Sequence, residues 1–275
     1  MSENNTIAIT RPSVSGPIPT PIQKEVSKYP TEIISLPSQG LPYEDSNPLS
    51  SGTLELKNLT AKEENLLTNQ TLMKNGTLLD KLLESVIIDK SIKTNDMLMC
   101  DFDASIFALR RMAYGDSYEV SVTCGRCGKD TLVDIDLNQM KNKDLNESNF
   151  IRGQNNFSFE LPNIKKTITF KLLTRKDIYN IDKEIEGLKK VNKQSTEMTT
   201  RLSYIITSIE GDTDQAKIRK FVNDGELISK DSLELRKHIK EISPLLNTTF
   251  DFTCSSCDSE RKQEVPMGIG FFFPN

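Results

Sequence analysis

Apolar residues recur along this chain at two spacings, and the spacing changes from segment to segment. From Thr60 the period is helical. "TAKEENLL" opens on Thr60 with Glu63 three positions on, the signature of a capping box. Beyond Gly76 and Thr77, "LLDKLLESVI" places Leu78, Leu79, Leu82, Leu83, Val86 and Ile87 on one face. A third helix is predicted over 103–114, with Ile106, Phe107, Leu109 and Met112 as its buried stripe. The period then shortens to two: "YEVSV" alternates into Cys124 and Cys127, and "TLVDIDL" alternates out of them, a hairpin with the cysteine pair at its tip. A second hairpin follows in "FSFELP" and "ITFKLLT", joined by "NIKK". Thr174 and Asp177 start another helix through Ile178, Ile181, Ile185 and Leu188, and more are predicted around Leu202–Ile209, Ala216–Val222 and Ser232–Ile242. Finally "TTFDFTCSSCDSERKQEVPM" repeats the strand, cysteine pair, turn and strand of the first pair.

This order predicts an α+β fold in five parts. An extended Pro-rich arm occupies 1–50, where eight of the twelve prolines fall and no helical period appears. A helical unit spans 51–118. A zinc-ribbon-like β unit is assembled from 119–140 and 246–266. A β-hairpin plus helical subdomain, 150–245, is inserted into it, and an aromatic C-terminal tail closes the chain at 267–275. The arm reads either as a disordered tail or as a segment lying across a neighbour, because Ile33, Ile34, Leu36, Leu41 and Tyr43 are apolar for a spacer. The tail "FFFPN" has two readings of the same kind: docking on a partner, or folding back on the chain's own core.

Composition narrows the function classes. The formal net charge of −4 disfavours general nucleic-acid binding, since proteins that neutralise many phosphates carry a basic surplus. Arg126, Lys129, Arg261 and Lys262 stand near the cysteine pairs, but Asp130, Asp258 and Glu260 offset them. The N-terminus has no apolar core of signal-peptide length, and no run approaches the ~18 apolar residues of a membrane span. The expectation is a soluble protein made in a reducing cytoplasm, where paired cysteines point to metal or catalysis rather than structural disulfides.

Cys124, Cys127, Cys254 and Cys257 form CxxC…CxxC on two hairpin tips, the arrangement in which two knuckles enclose a tetrahedral Zn²⁺. The pairs are separated by about 125 residues, far more than in a compact zinc ribbon. With four cysteine ligands no position is left for a catalytic water, so the metal is expected to be structural. Redox chemistry fits less well, because a redox CxxC opens a helix and these pairs follow strands. Cys100 reads as a small buried apolar residue, His238 as a solvated surface residue, and Asp101, Asp103, Asp134 and Asp136 as ordinary carboxylates. No phosphate-binding glycine loop, nucleophile elbow or His-based metal motif occurs, which excludes the common catalytic templates. No catalytic residue is assigned.

Several stretches carry a resemblance. "LPSQGLPY" before a capped helix, "GTLLDKLLESVI", "RMAYGDSYEVSVTCGRCG", "FSFELP…ITFKLLTRKD", "SPLLNTTFDFTCSSC" and a terminal "FFFP" resemble the T4-type baseplate hub subunit family of contractile-tailed phages, over about residues 33–274. The resemblance implies a non-enzymatic protein of the tail baseplate, a hub component or hub assembly factor, working in a hetero-oligomeric assembly with other hub, wedge and tail proteins. It places the protein in the virion, and in the host cytoplasm during assembly; the net charge and the absence of a long apolar run add the expectation of no nucleic-acid partner and no membrane insertion. The contacts expected to serve those partners are Leu36, Leu41, Tyr43 and the tail residues Phe271, Phe272 and Phe273. The Pro-rich first ~30 residues lie outside the resemblance.

Overall fold

The computed structural model describes residues 30–190 and 197–273. What is expected of residues 1–29 lies outside them. Strands β1 (Thr31–Ser35) and β2 (Thr53–Lys57) come first, followed by α1 (Ala61–Leu67), α2 (Gln70–Lys74), α3 (Leu78–Val86) and α4 (Met99–Tyr114). Next are β3 (Ser117–Thr123), β4 (Asp130–Asp136), β5 (Lys141–Asn142), β6 (Phe157–Glu160) and β7 (Thr167–Phe170). The chain continues through α5 (Arg175–Lys190), α6 (Glu197–Ile205), β8 (Ile206–Ile209), α7 (Gln215–Asn223) and α8 (Ser229–Ile242). It closes with β9 (Leu246–Asn247), β10 (Thr249–Thr253), β11 (Glu260–Glu264) and a 3₁₀ turn at Ile269–Phe272. The fold is α+β, with small antiparallel sheets among helices: β1–β2, β3–β4, β5–β9, β10–β11 and the three-stranded β6–β7–β8.

The capping signals act where the sequence puts them. Glu63 reaches back to the Thr60 backbone N–H at 3.0 Å and also accepts from the Thr60 hydroxyl, satisfying donors that the first turn of α1 leaves open. Asp177 does the same for Thr174 at the start of α5, again at 3.0 Å. Helix α3 buries Leu78, Leu82, Leu83 and Val86. Helix α4 begins at Met99, earlier than its apolar stripe alone predicts. One expected helix is corrected: from Ile206 the segment predicted as Leu202–Ile209 is strand β8, paired with β7. Its β-branched run Ile205–Ile206–Thr207 suits a pleated surface better than a helix, and β7 offers an open edge.

A larger correction concerns the arm. Residues 31–50 are built into the body rather than extended from it. β1 pairs antiparallel with β2, Thr31 opposite Lys57 and Ser35 opposite Thr53. Between them the chain turns through Gln39 and Gly40, both at positive φ, and a Cβ on Gly40 would lie 2.4 Å from the Ser50 carbonyl oxygen. The segment is held by Asp101, buried in the first turn of α4. Its carboxylate accepts from the Ser38 backbone N–H (3.0 Å), the Ser38 hydroxyl (2.7 Å) and the Tyr43 hydroxyl (2.7 Å), while Tyr43 accepts from the Leu98 N–H (2.8 Å). Burial pushes the Asp101 carboxyl above its usual range, and the Ser38 and Tyr43 hydrogen bonds pull the other way. Asp101 is thus a structural clasp, not the ordinary carboxylate its sequence context implies.

Most of the buried apolar side chains form one contiguous cluster. It runs from Leu36, Leu56 and Leu82 through Phe102, Tyr118 and Ile135 to Ile168, Ile218 and Leu235. Arg175 at the start of α5 forms a two-pronged ion pair with Asp80 of α3, both contacts 2.8 Å, and lies over the Phe102 ring. His238 is half-buried and stacks on Phe159 with ring centres 4.8 Å apart, so it is not a solvated residue. Among the described residues no helix is long and apolar enough to cross a membrane.

Candidate metal centre

Alternation along β3 and β4 turns Tyr118, Val122, Thr131 and Ile135 inward and leaves Glu119, Ser121, Leu132 and Asp134 outside. The β10–β11 hairpin faces it, with Phe252 buried. Where the two tips meet, Val122, Cys124, Phe252 and Cys254 form a second, much smaller buried cluster.

The two tips follow the same local plan. In the first, the Cys124 N–H donates to the Lys129 carbonyl (2.8 Å) and the Gly128 N–H to the Cys124 carbonyl (2.8 Å). In the second, the Cys254 N–H donates to the Ser259 carbonyl (3.0 Å) and the Asp258 N–H to the Cys254 carbonyl (3.0 Å). Each turn then passes through a left-handed residue at the equivalent place, Gly128 at φ +71° and Asp258 at φ +52°. Each first cysteine sulfur also receives a backbone N–H, from Arg126 and from Ser256, both at 3.4 Å.

This geometry brings the four sulfurs predicted from CxxC…CxxC together, with every Sγ within 4.8 Å of the others. Cys124 Sγ lies 3.8 Å from Cys257 Sγ, and Cys127 Sγ lies 3.6 Å from Cys254 Sγ. A disulfide needs about 2.05 Å, and all five cysteines of the chain are free thiols. Four thiolates around a tetrahedral ion with bonds of about 2.3 Å stand roughly 3.8 Å apart, so the donor set fits a metal ion. Among the described residues it is also the one convergent group of three or more His, Cys, Asp or Glu side chains.

The electrostatics lead to the same conclusion. The backbone amides of Cys127 and Arg126 lower the Cys124 thiol, and those of Ser256 and Cys257 help bring Cys254 down to about 6. Cys257 is pushed up to about 12: the Ser259 N–H lowers it, but burial and the neighbouring sulfurs raise it by more. Four sulfurs this close cannot all carry charge unless a cation lies among them.

Two supporting residues had no signal in the sequence. Thr131 joins the tips: its hydroxyl lies 3.9 Å from Cys254 Sγ and 3.2 Å from the Ser255 hydroxyl, and it accepts from the Ser255 N–H at 3.3 Å. Arg261 of β11 crosses to the other hairpin, donating to the Thr123 carbonyl at 2.6 Å and lying over the Phe252 ring. A Cβ on Gly125 would come within 2.7 Å of its guanidinium. Both residues are separated from their partners by more than 120 positions, beyond the reach of local pattern reading.

The residues expected to meet partners are placed differently from one another. Leu36, Tyr43, Phe271 and Phe272 are packed inside this chain's own core. The tail folds back: Phe271 meets Tyr118 edge-on with ring centres 4.9 Å apart, and its carbonyl accepts from buried Arg110 at 2.8 Å. Aromatic surface of this size is more stable packed than wet, and a ready apolar site lies beside α4. Leu41 is half-buried, and Phe273 is 43 % exposed.

Residues 41–274 match the family described as T4 bacteriophage base plate protein. The chain belongs to that family. No curated protein and no solved structure shows a significant match to it. As a base plate protein it is a component of the phage tail's assembly, and its expected neighbours are other base plate proteins.

Proposed function

We propose that this base plate protein is a non-enzymatic structural or assembly component of the hub of a contractile tail, stabilised by a structural Zn²⁺ on Cys124, Cys127, Cys254 and Cys257. The observation that carries the reading is the family match over 41–274 together with the convergence of four thiol sulfurs from two distant hairpins. Zinc suits an all-sulfur tetrahedral set, and four protein ligands leave no position for water or substrate, so the ion serves as a clasp. What a bound ion supplies is cohesion: apparent binding free energies of roughly 10 kcal/mol or more in small peptides, available to a β unit too small to hold itself. Arg261 and Thr131 orient the two tips toward each other, and the Arg126 and Ser256 amides support the thiolates of Cys124 and Cys254. Partner contacts fall to the exposed Phe273, to Leu41 and to the Pro-rich residues 1–29.

Three measurements test this reading. Elemental analysis of purified protein is expected to give about one zinc per chain, and a protein that folds fully without metal overturns the clasp. A label on the C-terminus, viewed on assembled baseplates, is expected at the central hub; labels at the periphery overturn the hub assignment. Mass spectrometry of purified particles separates a retained component from an assembly factor that leaves before maturation.

A further inference from the structure

The four sulfurs meet across the hairpins as well as within them. Cys127 of the first tip approaches Cys254 of the second, Sγ to Sγ 3.6 Å, and Cys124 approaches Cys257 at 3.8 Å. A bonded pair stands about 2.05 Å apart, so each approach is roughly 1.5–1.8 Å from a disulfide. Contacts that involve no sulfur keep the tips opposed: Arg261 donates to the Thr123 carbonyl at 2.6 Å, and the Ser255 N–H donates to the Thr131 hydroxyl at 3.3 Å. The four thiols differ in access. Cys127 is exposed and Cys257 half-buried, whereas Cys124 and Cys254 are buried. Each cross-hairpin pair therefore joins one thiol that solvent reaches to one that it does not.

A bond across the hairpins also asks less of the backbone than one inside a CxxC. Each knuckle is already fixed by its own hydrogen bonds, Gly128 N–H to the Cys124 carbonyl and Asp258 N–H to the Cys254 carbonyl. Closure inside a CxxC would rework a turn whose amides have their partners, and would leave the two hairpins unlinked. The Cys127–Cys254 bond instead closes a loop spanning 127 positions. A loop of that length removes far more freedom from the unfolded chain than a CxxC closure does.

We propose that the knuckle end is a convertible clasp: when it holds no ion and meets a peroxide, Cys127 bonds to Cys254 and Cys124 to Cys257, and two disulfides take over the joining of the hairpins. The exposed Cys127 sulfur attacks one peroxide oxygen, the O–O bond breaks, and the departing hydroxide leaves as water once protonated. The sulfenic acid so formed is attacked at sulfur by Cys254, which displaces a second hydroxide that also leaves as water. Each pair gives up two protons and two electrons, and each peroxide is reduced to two waters. Cys257 and Cys124 follow the same course. This is a single conversion and not a catalytic cycle. A base plate protein is carried on a particle outside the reducing interior of a cell, where a clasp that outlives its ion is useful. The conversion depends only on where the sulfurs lie, and so stands apart from zinc and from the hub assignment.

Disulfide mapping on the full chain tests it. Protein freed of metal by a chelator is treated with hydrogen peroxide at low protein concentration, digested without reduction, and its linked peptides are read by fragment-ion mass spectrometry. Links of 127 to 254 and 124 to 257 are expected to exceed links within either CxxC by about tenfold or more. Links mainly within the CxxC motifs, links mainly between chains, or oxidation to sulfinic acid without linkage each overturn the proposal. Trypsin supplies the second measurement. The oxidised metal-free wild type is expected to be cut at Arg126 and Lys129 about tenfold more slowly than the reduced metal-free chain, and oxidised Cys254→Ser faster than oxidised wild type. Equal cutting of the oxidised and reduced wild type overturns the claim that the disulfides replace the clasp.

Discussion

The body and the knuckle end bury apolar surface on very different scales. In the body, α3 alone contributes Leu78, Leu82, Leu83 and Val86 to a cluster that also takes in Phe102, Phe170, Phe271 and Phe272. At the knuckle end the separate cluster consists of Val122 and Phe252 with two cysteines. Each fully buried aliphatic or aromatic side chain stabilises by about 1.5–3 kcal/mol, so the body accumulates many such contributions and the knuckle end two. Two-stranded hairpins carrying outward Glu, Asp and Lys have little else with which to oppose chain entropy. The body can therefore stand on packing, whereas the knuckle end has little apolar surface to hold it and a four-sulfur site that fits a metal ion. The two are joined through Val120, Val133 and Phe250, which pack against both clusters.

Removing the sulfur contribution should separate them most clearly. Cys254→Ser, or a chelator, is expected to abolish metal binding and open the two tips to trypsin at Arg126, Lys129, Arg261 and Lys262, while cooperative unfolding of the body survives. Simultaneous collapse of both regions would mean that the metal end nucleates the whole fold. Next in size, Leu82→Ala in the centre of the body is expected to cost about 2–5 kcal/mol in chemical denaturation and to leave metal binding at the four cysteines unchanged. Stability of the knuckle end should be insensitive to it.

A pH experiment addresses the body alone. Burial raises the Glu63 carboxyl, but hydrogen bonds from Lys57 and Thr60 and the Lys57 charge outweigh it, holding the group at about 2. Its folded value is lower than its unfolded one, so its stabilisation is full above about pH 4.5 and is lost as the pH falls toward 2. That corresponds to about 3 kcal/mol at most. Glu63→Gln is therefore expected to destabilise at pH 7 and to match the wild type near pH 2, read from denaturation midpoints across that range. The smallest effect compares the two knuckles with each other. Asp258 occupies the left-handed position that Gly128 fills in the first knuckle. Asp258→Gly should stabilise the second turn by about 0.5–1 kcal/mol, seen as slower metal release to a chelator; faster release would mean that the Asp258 side chain contributes something the turn geometry does not require.

Much of this molecule was legible because its signals are local. The capping residues Thr60, Glu63, Thr174 and Asp177, the α3 stripe and the alternation around each CxxC depend on neighbours within one or two turns. Pairing the two CxxC motifs was the one long-range inference available from sequence, since four cysteines in matching strand contexts constrain one another. The places where the fold departs from local pattern share a cause as well. Residues 31–50 looked like an arm because prolines mask β1, and its partner Asp101 lies 58 positions beyond Tyr43. β8 looked helical because only the open edge of β7 makes it a strand. His238 looked solvated until Phe159 was placed beneath it.

Residue types and their short-range spacing therefore determined the α+β class, the helix starts and the two cysteine-bearing hairpin tips, because those follow from backbone geometry and side-chain chemistry within a few residues. Tertiary structure alone decided that Tyr43, Phe271 and Phe272 face inward, that Arg261 and Thr131 join the two knuckles, and that residues 31–50 are built into the body. Burial and edge pairing depend on which distant surfaces meet, and that is settled by the packing of the whole chain rather than by any stretch of it.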